Sequence, residues 1–427
     1  MQKNDPYGAL RYPEFRNLVI ASFLLTIGLL AQEVAIGYEL YRITHDPFAL
    51  GLIGLIEAIP FISLSMFGGH IADRYSKRKT LLWSVTGIAA SSLTLHLLSE
   101  QSAQLPQSAL IAAIYATIFI IGLCRAFQSP TATALRGFLV PVQLYENAST
   151  WSSSAWQVGA IVGPAISGFL YAWLGFSNTL LVVVGLVGAA LALYWTIGDT
   201  ANVQQVSAEK LLESVQQGVR FVFKTKIILY SISLDLFSVL FGGVVAILPI
   251  YAQDILKVGA QGLGILRAAP SLGAVLTLMV MARVSPMKHA WRNLLAVVVG
   301  FGVCIIVFAV SPWLSLSVIA LFLSGAFDSV SVVIRATILQ LMTPDDIRGR
   351  VMAVNGIFLA SSNELGAFES GLAAKLMGTV PSAVFGGAMT LLIVGWMFLS
   401  SKELLKVDIE EERSHSFVST RKPHTGH

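Results

Sequence analysis

The chain has 427 residues, of which 55% are hydrophobic and 12% charged, with a net charge of +4. Soluble domains carry about 25% charged residues; a water-facing surface cannot be built from so few, and lipid must solvate most of this protein. The positive charge does not point to nucleic acid, because the basic residues are scattered through short loops between apolar runs and form no patch with interleaved aromatics.

Backbone groups in lipid must be satisfied within their own segment, so apolar runs of about 20 residues read as spanning helices. In chain order the runs fall at 15–41, 48–72, 79–98, 108–137, 148–174, 178–198, 226–252, 260–283, 293–311, 313–342, 349–377 and 381–401. Breaks coincide with turn signals such as His45-Asp46-Pro47, Gly175-Phe176-Ser177-Asn178, Ser311-Pro312 and Pro381-Ser382. The polar first 14 residues and the length of the first run exclude a cleavable signal. Cys124 and Cys304 lie inside apolar runs without metal spacing and read as small buried hydrophobes.

The fold expected is therefore an all-α membrane protein with 12 transmembrane helices in two pseudo-symmetric six-helix bundles. Residues 1–198 form the first bundle and 226–401 the second, with a cytoplasmic linker at 199–225 and a disordered tail at 402–427. Within the linker, Leu211, Leu212, Val215, Val219 and Val222 make one helix face against Glu209, Lys210, Glu213 and Arg220, the pattern of a helix lying on the membrane surface. Of 28 Lys and Arg residues, 22 fall on one side if the N-terminus is inside, and only Arg42, Lys257 and Lys375 on the other. Basic residues stay on the cytoplasmic side, so both termini are expected there, in a multi-pass protein of the cell (inner) membrane.

The halves repeat. Shifted by 203, Gly122, Pro141, Gly163 and Gly168 fall on Gly325, Pro344, Gly366 and Gly371. Shifted by 210, Gly54, Ala58 and Pro60 fall on Gly264, Ala268 and Pro270. A six-plus-six duplication is the build of transporters whose halves rock about a midplane site.

An ionisable group at bilayer depth costs at least about 2.5–3.5 kcal/mol on insertion scales and calls for a reason. Glu33, Glu57, Arg125, Asp235, Arg267, Asp328, Arg335, Glu364 and Glu369 lie at such depth. The repeat sets Glu57 over Arg267 and Arg125 over Asp328, positions expected to face each other across a central cavity. A carboxylate that alternates between a dry cavity and a neighbouring Arg binds and releases a proton. Asp235, Asp328, Glu364, Glu57 and Glu33 are the proton-coupling candidates; Arg125, Arg267, Arg335 and Glu369 are candidates for the substrate cavity. Structural ion pairing between helices is the alternative use of the same residues. Trp151, Trp156, Phe237 and Phe241 are candidates for an apolar lining, whereas His70 and His96 sit near helix ends and read as structural. Gly159, Gly163, Pro164 and Gly168 form a small-residue face that admits a close neighbouring helix.

The loop after the second run reads Gly69-x-x-x-Asp73-Arg74-x-Ser76-Lys77-Arg78. It resembles the signature loop of the major facilitator superfamily, with Ser76 in place of a glycine. The resemblance implies a cytoplasmic gate in which Asp73 faces the start of the eleventh span near Arg350. The face from Gly159 to Gly168 is similar to the superfamily's antiporter pattern, without its closing glycine pair. The stretch from Asp235 through Pro249 and the Arg348-Gly349-Arg350 segment resemble the enterobactin-exporter-like branch, which includes siderophore exporters and macrolide-type efflux pumps. A secondary active transporter is implied, exporting a siderophore- or drug-like small molecule against protons, as a monomer without cofactor or metal. Lipid or lysolipid flipping is the alternative use of the same fold. A membrane-embedded enzyme would need a metal cluster or an activated nucleophile, and no such spacing occurs.

Overall fold

In a computed structural model the described residues are 5–74, 76–101, 105–198, 208–283, 286–344 and 347–404, and no strand occurs among them. The helices are α1 (Pro13–Thr44), α2 (Pro47–Arg74), α3 (Lys77–Glu100), α4 (Gln107–Leu139), α5 (Tyr145–Trp195), α6 (Ala208–Lys224) and α7 (Lys226–Gly242). A 3-10 turn, the single turn α8 (Leu248–Ile250) and a π turn (Tyr251–Ile255) continue α7. Then follow α9 (Gly259–Met281), α10 (Ala290–Val310), α11 (Leu314–Met342), α12 (Arg348–Met377) and α13 (Thr379–Ser400).

Among the described residues, ten segments are long and apolar enough to cross a bilayer. The first half departs from the twelve expected runs at one point. The break expected at 175–178 is a kink: helix continues on both sides of Gly175, whose φ of 78° and ψ of 177° bend α5 without a loop. The seventh run, expected as one helix over 226–252, stops being α-helical at Gly242, and the 3-10 and π turns carry the chain onward.

Local chemistry sets the corners. His45 caps α1 in the left-handed conformation, and the Asp46 side chain accepts from the Phe48 N–H (3.0 Å) to start α2. Ser76 caps α3 by accepting from the Lys79 N–H. Many hydroxyls buried in the spans return to the preceding turn, as in Thr117 to the Ala113 carbonyl (2.7 Å) and Ser231 to the Ile227 carbonyl (2.7 Å), and these need no polar partner in lipid. Trp83, Trp173, Trp195 and Leu392 are exposed on the outside, where acyl chains and headgroups solvate them.

Two apolar cores lie in separate halves of the chain. Leu18, Leu25, Val85, Ile88, Leu135, Val187 and Tyr194 join α1, α3, α4 and α5. Val222, Ile228, Trp291, Ile338, Val351 and Met397 join α6, α7, α10, α11, α12 and α13. The linker helix α6 is therefore docked rather than merely laid on a surface: Val222 is buried, and Gly218 lies so close to α12 that a Cβ there would sit 2.9 Å from the Arg350 carbonyl oxygen. The Arg350 guanidinium donates to Gln217. The Asp73 side chain, expected beside Arg350, lies outside the described residues, as do those of Gly69, His70 and Arg74, the linker 199–207 and the tail beyond 404. Lys77 is buried, its ammonium 4.6 Å from the Phe138 ring, and Arg78 donates to the Trp195 carbonyl (2.8 Å).

The halves meet mainly through two helix pairs, α2 on α12 and α5 on α9, and a shared apolar core joins Val34, Tyr41 and Leu50 to Val244, Tyr251 and Leu263. Gly54 packs on Ala367 and the Glu364 carbonyl, and Gly264 on the Pro164 carbonyl and Gly168. The sequence shifts of 210 and 203 carry the first contact onto the second. A Cβ on Gly168 would come within 2.5 Å of the Ala260 carbonyl oxygen. Gly168→Val is expected to destabilise the protein by about 1–3 kcal/mol, the usual effect of overpacking. Thermal unfolding of the purified protein in detergent measures it; an unchanged midpoint would refute a tight α5–α9 seam.

Candidate functional site

A cavity of about 590 Å³ lies between α1, α2, α4 and α5. Its wall carries Glu33, Glu57, Arg125 and Arg136, the amides Gln32, Gln128 and Gln157, and a set of serines and threonines. Leu25, Leu29, Ile53, Phe61 and Trp156 supply the apolar part. Helical spacing accounts for the placement: Arg125, Gln128, Ser129, Ala132, Thr133 and Arg136 follow one another at three- and four-residue steps on one face of α4.

At one end of this wall is a cluster of five charges. The Arg125 guanidinium donates to the Glu57 carboxylate, joining α4 to α2. Arg267 of α9 reaches Glu33 of α1 at 2.8 Å. Glu364 of α12 stands beside Gly54, within the field of Glu57, Arg125, Glu33 and Arg267. Among the described residues it makes no ion pair of its own. The cluster thus holds three carboxylates and two guanidinium groups, drawn from five helices.

The partners differ from those that the repeat suggests. Glu57 pairs with Arg125 rather than with Arg267, and Asp328 lies 3.9 Å from Arg335 rather than opposite Arg125. A repeat equates positions, but contacts follow which helices touch, and α2 lies along α4. Asp235 and Arg335 form a second buried pair between α7 and α11, beside a small pocket that also touches Asp328 and Phe327. Arg335 Nε further donates to the Ser331 carbonyl (3.2 Å) and hydroxyl (3.1 Å). Arg335 is therefore part of the second half's core and not of the large cavity's wall. Glu369 is half-buried on α12 and is also not among that cavity's lining residues.

Of the aromatic candidates, Trp156 lines the cavity. Trp151 instead donates to the Pro6 carbonyl (2.9 Å), and Phe241 packs edge-on to Phe385. His96 is buried with Nδ1 3.0 Å from the Ser177 carbonyl, a structural contact. Gly159 and Gly163 seat α5 against Thr26 and Ile27 of α1, as a small-residue face should. Sequence reasoning missed the wall's uncharged amides and Arg136. Gln32, Gln128 and Gln157 were detectable as polar side chains at bilayer depth, but attention to ionisable groups passed over them.

A second set of contacts joins the halves at the end where α1 finishes and α2 begins. Tyr41 donates to Asp254 of the π turn, Gln253 donates to the Tyr38 carbonyl (2.9 Å), and Lys375 reaches Asp46 at 2.7 Å. The Lys375 ammonium also lies 5.3 Å from the Phe48 ring. Nearby, buried Glu39 binds Arg42 and accepts from Tyr171.

The arrangement has counterparts. The chain is 28% identical over 405 residues to Enterobactin exporter EntS of Shigella flexneri, covering 91% of both chains. It is also 28% identical over 399 residues to Enterobactin exporter EntS of Escherichia coli O1:K1 / APEC, again covering 91% of each. In structure it is similar to a POT family transporter crystallised with 5-aminolevulinic acid, with a TM-score of 0.73 over 92% of this chain and 96% of that one, at 14% identity. A D-xylose-proton symporter superposes with a TM-score of 0.68 over 90% and 97%, also at 14% identity. The model of the transmembrane secretion effector family matches residues 4–422, and the chain belongs to that family of major facilitator transporters of small molecules.

Proposed function

We propose that this protein is a proton-coupled exporter of a small organic molecule, a siderophore or drug-like compound, acting by alternating access in the cell (inner) membrane. Residues 1–198 and 226–401 are the two six-helix bundles that rock, and the doubled glycine contact between α2 and α12 and between α5 and α9 supports that division. The observation that carries the reading is the five-charge cluster at the end of the large cavity. Glu33, Glu57 and Arg125 come from the first half and Arg267 and Glu364 from the second, so relative motion of the halves changes every distance between those two groups.

The cluster has one carboxylate more than it has guanidinium groups. A proton on Glu364 would make it neutral, and loss of that proton leaves a net negative charge in a low-dielectric site. Glu33, Glu57 and Glu364 share that proton site electrostatically with Arg125 and Arg267. Asp235 and Asp328 around Arg335 form a second candidate relay in the other half.

The count of basic residues puts both termini in the cytoplasm. On that topology the contacts Tyr41–Asp254 and Lys375–Asp46 close the outer end, and the cavity runs from Glu57 toward Leu18, Arg136 and Ser152 at the inner ends of their helices. That is the inward-facing half of the cycle, ready to load cargo from the cytoplasm. Cargo enters as a monomer's ligand from the aqueous side, with no metal or cofactor.

Two experiments test the reading. Comparing small molecules retained by cells with and without the gene identifies the cargo. Proteoliposomes with an imposed pH gradient should then move it toward the acidic side, and collapse of the gradient with an ionophore should stop net movement. Movement that ignores the gradient would refute proton coupling, and gradient-driven movement in the opposite sense would refute export.

A further inference from the structure

Four charged side chains stand on the wall of the large cavity: Glu33, Glu57, Arg125 and Arg136. Three of them are paired, Glu57 with Arg125 and Glu33 with Arg267. Among the described residues Arg136 has no ion-pair partner, and its buried Nε has no hydrogen bond. It sits in the last turn of α4, 11 residues beyond Arg125, or roughly 16 Å along the helix at 1.5 Å per residue. Among the described residues the wall around that end is otherwise uncharged: Ser129, Thr133, Ser152, Ser153 and Gln157, with the Trp156 ring beside them.

We infer that Arg136 makes the inner mouth of the cavity a capture site for organic anions, whose carboxylate or comparable anionic group takes the place of the missing partner. Helix-end electrostatics and the cytoplasmic bias of basic residues account for an arginine at this level of α4. Neither accounts for a guanidinium that is turned into a cavity wall, partly shut from solvent and without a counter-charge among the described residues. A buried, unanswered charge is costly, and a ligand that answers it is bound preferentially. The serine, threonine and glutamine side chains provide neutral hydrogen bonds to the rest of such a ligand without competing for the cation. The inference rests on the transport reading only in taking the captured anion to be cargo.

The test reads the site itself and needs no knowledge of the cargo. In the full chain with Cys124 and Cys304 replaced by alanine, Ser153→Cys places a reporter thiol on the wall. Its labelling rates are compared for an anionic sulfonatoethyl and a cationic trimethylammonioethyl methanethiosulfonate, relative to the same ratio for free cysteine. Anionic labelling should be favoured, and Arg136→Gln should reduce the preference at least about fivefold, the effect of removing one charge from a low-dielectric wall. Arg136→Lys, which keeps the charge, should retain the preference. Benzoate should slow labelling in the parent but not in Arg136→Gln, and the neutral isostere benzamide should do so in neither. An unchanged preference in Arg136→Gln, or equal protection by benzoate and benzamide, overturns the proposal. Because labelling requires no transport, failure of the exporter reading would instead appear as absent cargo movement in proteoliposomes with the labelling pattern intact.

Discussion

Glu364→Gln is expected to abolish proton-driven transport while leaving the folded protein and cargo exchange in place. Glutamine keeps the shape and hydrogen-bonding capacity of the side chain but can neither bind nor release a proton. In the native cluster, Glu57 and Glu33 each have an arginine at ion-pair distance, and among the described residues Glu364 has none. The unpaired carboxylate is the one whose charge is least compensated, hence the one whose protonation state is most sensitive to how far Arg125 and Arg267 stand from it. Moving one half against the other displaces α12 and α9 relative to α2 and α4, so the two orientations hold the proton with different strength. Removing that site should reduce gradient-driven transport by about 100-fold or more, equivalent to about 3 kcal/mol of lost coupling. Exchange of labelled for unlabelled cargo at equal pH needs no net proton movement and should remain within a few-fold of the parent. Full gradient-driven activity in Glu364→Gln would exclude this residue as the coupling site and direct attention to the Asp235–Arg335–Asp328 group.

The second large effect is on stability. Asp235 and Arg335 are side chains exposed by only 8% and 9%, and they pair between α7 and α11 inside the second half. Arg335→Met leaves Asp235 buried without its counter-charge, because Asp328 carries the same sign. Breaking a buried pair by removing one partner typically costs about 3–5 kcal/mol, whereas replacing both by apolar groups is often neutral. Arg335→Met should therefore unfold at markedly lower temperature or denaturant concentration than the parent. The double variant Asp235→Leu with Arg335→Met should recover most of the loss. If the double variant is no more stable than the single one, the pair is not what Arg335 contributes, and its bonds to Ser331 become the explanation. A double variant that is stable yet inactive would separate a transport role for this group from a structural one.

Much of this was legible in the sequence because lipid leaves the chain few options. A run of apolar residues in a bilayer has to be a helix, and helix is found within each expected run, although the fifth and sixth runs form one kinked helix and the seventh leaves the α-helical form at Gly242. The linker helix was visible in its spacing, and it occupies 208–224. The buried charges stood out because each one needs a reason at that depth. Their grouping was not legible. Whether Glu57 faces Arg125 or Arg267 depends on which helices lie side by side, and the chain gives only the order in which they are made.

Composition, periodicity and charge placement by themselves determined that this is a multi-span helical protein built on a repeat, with acids and arginines at costly depth. The physical reason is local: hydropathy and the distribution of Lys and Arg act residue by residue against a fixed slab of lipid. Only the tertiary structure decided that Glu364 is the odd carboxylate in a five-charge cluster, that Arg335 belongs to a core rather than to the large cavity, and that Arg136 stands on a cavity wall with nothing among the described residues to answer its charge. Those are statements about distances between residues as much as 331 positions apart, and such distances come from helix packing, which no single segment encodes.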